Sequence, residues 1–548
     1  MALKRGLEHL SGLDLAVKVE ALPFSVFQLE IFAAIAALLL WSAGLCVYRL
    51  YFSPLAKFPG DRLAAISGWV ETYYDVFQGG QLIFKLADWH AKYGPIVRIN
   101  PWEVHIADPE FTKILLAGNS HFDKKIEWKY RFGIPHSSFD TIEHDHHRAR
   151  RSAVAPFFSK QKIGGITGFV DRKAQRLCDR LETEYKGGDD VEPVILNYCF
   201  TALTFDVITY YTFARSFDYM EYPNFRAPFT NAARELATTL HIMGHFPWLR
   251  SLLQSLPQSW AKAMNPTMGA VFAFHQEIED QIRAIKSGAN DSHKDVAHKT
   301  VFSELLNSDL PANEKTVERL KHEAGSLVGG GVETTATALT KACFWILDNP
   351  QIRSRFVAEL ETVFPDPRVT PPLATLESLP YLGAIINETL RLTIGISSRT
   401  IRKSRRGPVN YKGHLIPAGA YFSMTTYYTH TDPAVWEAPH EFRPERWLPP
   451  IVEDVEGAAA VADSRKPEVP RAKNGELLSE YLVPFGRGPR MCLGMNLARA
   501  ELFITLAVVF RRCDFQLFET TRDAVDMRAD YFIPFPDPKI EGVKVVLK

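Results

Sequence analysis

An uncharged run of 18 residues, Ile31 to Tyr48, lies between Glu30 and Arg49. As a helix rising 1.5 Å per residue it covers about 27 Å, close to the roughly 30 Å hydrocarbon layer of a bilayer. The feature divides the chain into an anchor and everything that follows. A cleaved signal peptide would carry a shorter apolar core nearer Met1 and a small-residue exit site, and the sequence shows neither. The segment therefore reads as one uncleaved transmembrane signal anchor, 31–48. Within 20 residues of its ends lie Lys18 before and Arg49, Lys57 and Arg62 after. The positive-inside rule then puts residues 1–30 in the lumen and the C-terminal bulk in the cytosol. Residues 49–65 form a stalk in which Pro54 and Pro59 oppose helix continuation.

The remainder, 66–548, reads as one large domain. An apolar share of 46% and a charged share of 23% exclude a disordered chain. Lysine plus arginine (63) equals aspartate plus glutamate (63), so no global field favours nucleic acid. Six scattered cysteines without a CxxC pair argue against a disulfide framework and a structural zinc site. Apolar residues recur at helical spacing over 160–185, 231–243, 266–286, 314–348, 352–363 and 381–392. Strand patterns occur at 95–100, 104–106, 413–424 and 542–548. The class is mainly α (α+β), helix-dominated with small β-sheets, and the aperiodic Pro/Ala/charge mixture at 449–476 reads as a surface insertion.

Chemistry concentrates in PFGRGPRMCLGMNLARAE, Pro484 to Glu501, where a glycine-rich loop delivers Cys492 to the start of a helix. A thiolate is soft enough to ligate iron, and a helix N-terminus lowers its pKa through dipole and amides. Arg490 can pair with a carboxylate, and Phe485 can shield the sulfur. An isolated buried cysteine beside a helix start would not need these companions at fixed offsets.

Phe485, Gly488, Arg490, Cys492 and Gly494 fill the fixed positions of FxxGxRxCxG, and on them the chain resembles the cytochrome P450 family. The resemblance implies haem b (iron protoporphyrin IX), with Cys492 as the axial thiolate ligand of the iron and Phe485, Gly486, Arg490 and Gly494 around it. LVGGGVETTATA, Leu327 to Ala338, is similar to the family's oxygen-binding groove: Gly330 lies against the haem face, and a local helix opening admits dioxygen. Glu333 and Thr334 take the acid and alcohol positions of a proton relay. Three mid-helix glycines at about 1 kcal/mol each call for such a reason. Glu388 and Arg391, with Arg446 of FRPERW, resemble the family's structural Glu/Arg/Arg network. In HDHHRARRSAVAPFFS, His147 and Arg151 share a helical face and match propionate-binding positions of fungal members, His147 standing where tryptophan is more usual. In ISSRTIRK, Arg399 or Arg402 could meet the other propionate, with family spacing favouring Arg402.

By resemblance the chain is a microsomal fungal monooxygenase, similar to trichodiene oxygenases. It would sit single-pass in the endoplasmic reticulum membrane, draw electrons from NADPH-cytochrome P450 reductase docked on a basic face with Arg487, Arg490 and Arg499, of which Arg490 is rather occupied by haem, and oxidise a small apolar substrate with O2. By analogy the substrate is a terpenoid; a polyketide or alkaloid is the alternative. A reductase-independent haem-thiolate isomerase or dehydratase would have no use for Glu333 and Thr334, and a haem sensor no use for an acid–alcohol pair. Segments 136–139, 205–211, 241–247 and 531–534 approach the substrate by family position. The apolar stretch 246–260 admits two readings, helix core or a dip into the bilayer.

Overall fold

The computed structural model describes residues 26–187, 192–265, 267–289, 300–449 and 469–548. Residues 1–25 of the expected lumenal segment and 450–468 of the insertion lie outside the described residues. The longer helices, in chain order, are α1 (Val26–Val47), α2 (His144–Val154), α3 (Thr167–Glu184), α4 (Leu196–Phe213), α5 (Pro228–Thr238), α6 (Leu240–His245), α7 (Pro247–Ser255), α8 (Met268–Ser287), α9 (Val317–Asp348), α10 (Pro350–Val363), α11 (Pro380–Thr393) and α12 (Met495–Arg512). The strands used below are β1 (Ile96–Asn100), β2 (Glu103–Ile106), β3 (Phe122–Lys124), β4 (Thr400–Ser404), β5 (Tyr421–Met424), β6 (Ala529–Tyr531) and β7 (Ile533–Phe535).

α1 is long and apolar enough to cross a membrane and is not buried by the rest of the protein. It does not stop at Tyr48: a π-helical turn carries it through Tyr48–Phe52, and Ser53 N–H closes on Tyr48 O. This turn is tied to the domain. The Arg49 guanidinium donates to Ile66 O, and buried Arg98 of β1 donates through Nη1 to Arg49 O (2.7 Å) and through Nη2 to Pro101 O (3.2 Å).

α9, 32 residues long, is the axis of the domain; α4, α8, α11 and α12 pack on it. α4 escaped the periodicity analysis because all but Asn197 and Tyr210 of its residues are buried, so no polar stripe marks one face. Its buried Asp206 is neutralised by Lys173 of α3 at 2.7 Å. α4 and α9 approach closely at Gly331, where a Cβ would lie 3.0 Å from Ile208 Cγ1, and Thr204 Oγ1 donates to Val332 O at 3.1 Å. The expected helix 160–185 is divided at the Gly164–Gly165 pair into Lys160–Gly164 and α3, and 231–243 is divided between α5 and α6.

A five-stranded sheet runs in the order β1-β2-β5-β4-β3. The antiparallel register of β3 and β4 sets Lys124 directly opposite Arg402. The stretch 413–424 forms two strands, His414–Ile416 and β5, rather than one. Within the expected insertion, residues 469–476 fold back, with Ala472 N–H on Glu476 O, and Ala472 joins Trp436 and Tyr481 in a small apolar cluster. The core reading of 246–260 fails: Trp248, Leu252 and Trp260 are exposed.

Because Arg98 relies on the Arg49 carbonyl, truncations before Tyr48 and before Ser53 will differ. Loss of the acceptor leaves a buried guanidinium N–H unsatisfied, at about 1–3 kcal/mol. Urea melts should place the Ser53-start protein below the Tyr48-start protein by that amount, and coincident melts would show the hook to be idle.

Candidate active site

The loop before α12 is shaped by close backbone packing. Gly488 has φ +71°, and a Cβ there would fall 2.6 Å from Leu116 O and 2.7 Å from Ala117 O. Cys492 N–H donates to Phe485 O at 2.7 Å, so the chain turns back on itself and presents the thiol just before α12. Cys492 is exposed, whereas Cys178, Cys199, Cys343 and Cys513 are buried. Surrounding protein pushes its thiol pKa up, while the Gly494 amide and Arg151 pull it down. Those two groups favour a thiolate once a metal replaces the proton.

Around this sulfur the protein collects positive charge. Arg490 donates through Nη1 to Thr141 O (2.9 Å) and through Nη2 to Ile142 O (2.7 Å), leaving its buried Nε without a partner among the described residues. Burial and then Arg402 push Arg490 down to about 9, with Asp123 opposing. Arg402 itself is pushed down to about 10 by burial, and its Nη1 donates to Ile401 O (2.9 Å). Lys124, opposite it, donates to Phe139 O and is held well below its ordinary value by burial, Arg490 and Arg402. His147 is buried, its Nδ1 without a partner among the described residues, and is pushed down to about 2 by burial and then by Arg490, Lys124 and Arg151. It is therefore a neutral imidazole. Like charges directly opposite on paired strands are destabilising, and buried cations need counter-charge. The donor set suits a planar dianion with a metal at its centre, which is what an iron porphyrin with two propionates offers.

Of the two arginines weighed at 396–403, only Arg402 belongs to this group. Arg399 is claimed by Glu71, by Glu103 (3.2 Å) and by Asp75 (3.9 Å). Lys124 was invisible to sequence reasoning, since its meaning depends on the register with Arg402. On the expected docking face Arg487 is paired with Glu480 at 2.6 Å, while Arg490, expected to serve haem rather than the reductase, donates to Thr141 O.

Glu388 and Arg391 are fully buried on α11. The carboxylate accepts from five donors: Arg391 Nε (3.0 Å) and Nη2 (2.8 Å), Arg446 Nε (2.9 Å), Arg443 N (3.0 Å) and Trp447 Nε1 (2.9 Å). Arg391 in turn donates to the carbonyls of His430, Pro439 and Glu441. His430, pushed down to about 3 by burial and Arg391, is neutral. Its Nδ1–H donates to Arg391 O (2.9 Å) and its Nε2 accepts from Val483 N (2.9 Å), two residues before Phe485. That link between the ion network and the cysteine loop was also missed; the YTHTDP segment carries the residue but not its role.

On α9, Thr334 Oγ1 donates to Gly330 O at 2.8 Å. The expected local opening is absent: α9 is unbroken, and hydroxyls from Thr334 and Thr204 satisfy carbonyls at the glycine segment instead. A Cβ at Gly330 would meet open space. Burial raises the Glu333 pKa against the pull of Arg234. Thr335 is buried.

This fold, with a thiol loop and a surplus of positive charge around it, fits a haem-thiolate protein. The Cytochrome P450 family pattern matches residues 69–539, and the chain belongs to that family. It is 41% identical to the cytochrome P450 monooxygenase orf3 of Eupenicillium brefeldianum over 94% of this chain and 96% of the relative. It is 36% identical to the tryptophan 6-hydroxylase fscE of Fusarium equiseti over 99% of both chains, and 36% identical to the N-acetyltryptophan 6-hydroxylase ivoC of Emericella nidulans over 95% of this chain and 98% of the relative. The protein is thus a cytochrome P450 monooxygenase that uses thiolate-ligated haem, dioxygen and a redox partner.

Removing one member of a buried ion pair costs about 3–5 kcal/mol. Glu388→Ala and Arg391→Ala should yield poorly folded protein with little haem, read as haem per polypeptide. Either variant recovered soluble with full haem would contradict the network's role.

Proposed function

We propose that this enzyme hydroxylates or epoxidises an apolar secondary metabolite in a fungal pathway, anchored single-pass in the endoplasmic reticulum membrane with its catalytic domain in the cytosol and supplied by NADPH-cytochrome P450 reductase. The observation that carries the reading is the group of cations at the Cys492 loop, buried Lys124 with half-buried Arg490, Arg402 and Arg151, in a chain whose long helix α9 bears an acid and an alcohol. Cys492 would ligate the haem iron, Arg490, Arg151, Arg402 and His147, joined by Lys124, would hold the propionates, and Phe485, Gly486, Gly494 and Gly330 would lie against the porphyrin. Glu388, Arg391 and Arg446 keep the loop in place and do no chemistry. Membrane and orientation are supported by α1 and by the charges Arg49, Lys57 and Arg62 after it.

When bound, thiolate-ligated haem supplies the activation of dioxygen. The chain's own residues control protons. Glu333 gives up its proton at higher pH than an exposed glutamate, because burial disfavours its charge. Thr334 holds its hydroxyl on Gly330 O and can pass a proton onward by rotating away from it. The reductase-independent rival is disfavoured by this pair, which a rearrangement does not need.

The terpenoid assignment rests on analogy alone. Two relatives are named as hydroxylases of tryptophan or N-acetyltryptophan, and the rings of Phe132, Phe139 and Phe532 cluster beside the cationic group, which favours an aromatic substrate.

Thr334→Ala should keep its haem and its NADPH consumption while product per NADPH falls about tenfold or more and hydrogen peroxide rises; Thr334→Ser should restore most of the coupling. Unchanged coupling in the alanine variant removes Thr334 from the relay, and turnover without reductase and NADPH overturns the monooxygenase reading.

A further inference from the structure

Residues 134–138 run along the first turns of α9 and are fixed there at three points. Ile134 packs over Gly325, where a Cβ would fall 3.3 Å from its Cγ2. Ser138 donates to the Glu323 carboxylate through its N–H (2.9 Å) and its Oγ (2.5 Å). Between them, His136 N–H reaches His322 Nδ1 in a long bond of 3.4 Å. Glu318 and His322 are four residues apart on α9, so they share one face on successive turns. The His136 and His322 rings stack at 5.2 Å, 11° from parallel. A carboxylate and two imidazoles thus converge from a loop and a helix whose mutual placement is set by other contacts.

One oxygen of Glu318 and one ring nitrogen of each histidine all lie within 4.8 Å of one another. His136 Nε2 is 3.8 Å from Glu318 Oε1, too far for a hydrogen bond. Zn–N and Zn–O bonds of about 2.0–2.2 Å place neighbouring ligands of a tetrahedral ion roughly 3.3 Å apart, so small rotations of these side chains would close the set. Solvent reaches it, since His136 and Glu318 are exposed and His322 is half-buried. The cations beside it on α9 are already met, Lys321 by Glu279 (2.9 Å) and Arg319 by Glu314 (2.8 Å) and Glu323 (2.6 Å). The cluster of Asp75, His241 and His245 is different: Arg131 donates to His241 Nδ1 (3.1 Å) and Arg399 stands 3.9 Å from Asp75, so the protein's own cations serve it.

We propose that His136, Glu318 and His322 bind a zinc ion, with solvent as the fourth ligand, and that the ion pins the 134–139 loop to α9. Two imidazoles and a carboxylate are a nitrogen-rich set that suits zinc, whereas magnesium and calcium take oxygen ligands. The site uses no residue assigned to haem or to the proton relay. Its effect falls on Phe139 at the end of the loop, whose ring meets Phe132 at 5.4 Å and Phe532 at 6.0 Å and forms one wall of that aromatic cluster.

Full-length, haem-loaded protein titrated with zinc sulfate against a chromophoric chelator should take up one zinc per chain, and magnesium should fail to compete. His136→Ala and His322→Ala should each weaken that binding about tenfold or more, since losing a ligand costs at least what losing an outer partner does. Glu318→Gln should weaken it in the same direction. Amide hydrogen exchange over 134–139 should slow when zinc is added to wild type and stay unchanged in His136→Ala. A normal reduced-carbon-monoxide spectrum certifies each variant as folded, and His136, being exposed, can be replaced without disturbing the core. No zinc uptake by wild type, undiminished affinity in the histidine variants, or loss of uptake in His121→Ala instead, which would move the ion to the cluster of His121, His144 and Asp145, overturns the site. Zinc uptake with unaltered exchange at 134–139 overturns the pin.

Discussion

The Glu388 carboxylate is the point at which distant parts of the chain are made to agree. It lies in the interior without water, yet accepts from two arginine side chains, an indole and a backbone amide. A charge so placed tolerates little movement, because each lost donor exposes it to a medium that cannot solvate it. Arg391 then fixes the carbonyls around 430–441, and His430 passes that constraint to Val483 at the head of the cysteine loop. The loop's shape is thus inherited from a network that touches no reactant.

What could be read directly from the amino-acid order was whatever is local. Cys492 and its companions lie within ten consecutive residues, and backbone geometry fixes their mutual arrangement. The Glu333–Thr334 pair sits on a helix whose periodicity marks it. Elements whose signal depends on neighbours were not legible: α4 has no polar stripe because it is wrapped on all sides, and the division at Gly164–Gly165 needed the packing of α3 on α12 to show where the axis bends. The same reason hid Lys124, which became part of the site only through strand pairing with Arg402, and it decided between Arg399 and Arg402, since three acids that claim the former come from residues 71, 75 and 103.

Around the Cys492 loop positive charge outweighs negative: burial, Arg490 and Arg402 hold Lys124 well below its ordinary value, and burial and then Arg402 push Arg490 down, although Asp140 opposes the first and Asp123 the second. A large anion such as a haem dipropionate would relieve that imbalance.

The π-helical turn at Tyr48–Phe52 would also have a consequence for an enzyme anchored through α1 as proposed. A flexible leash would let the globular part swivel through most orientations. With Arg49 held from both Ile66 and Arg98, a bilayer-spanning α1, as proposed, would be tied to the hull, and an encounter with another membrane-bound protein would then have chiefly rotation about the bilayer normal left to match. Collisions that would be mostly misaligned in free solution become a search over a single angle.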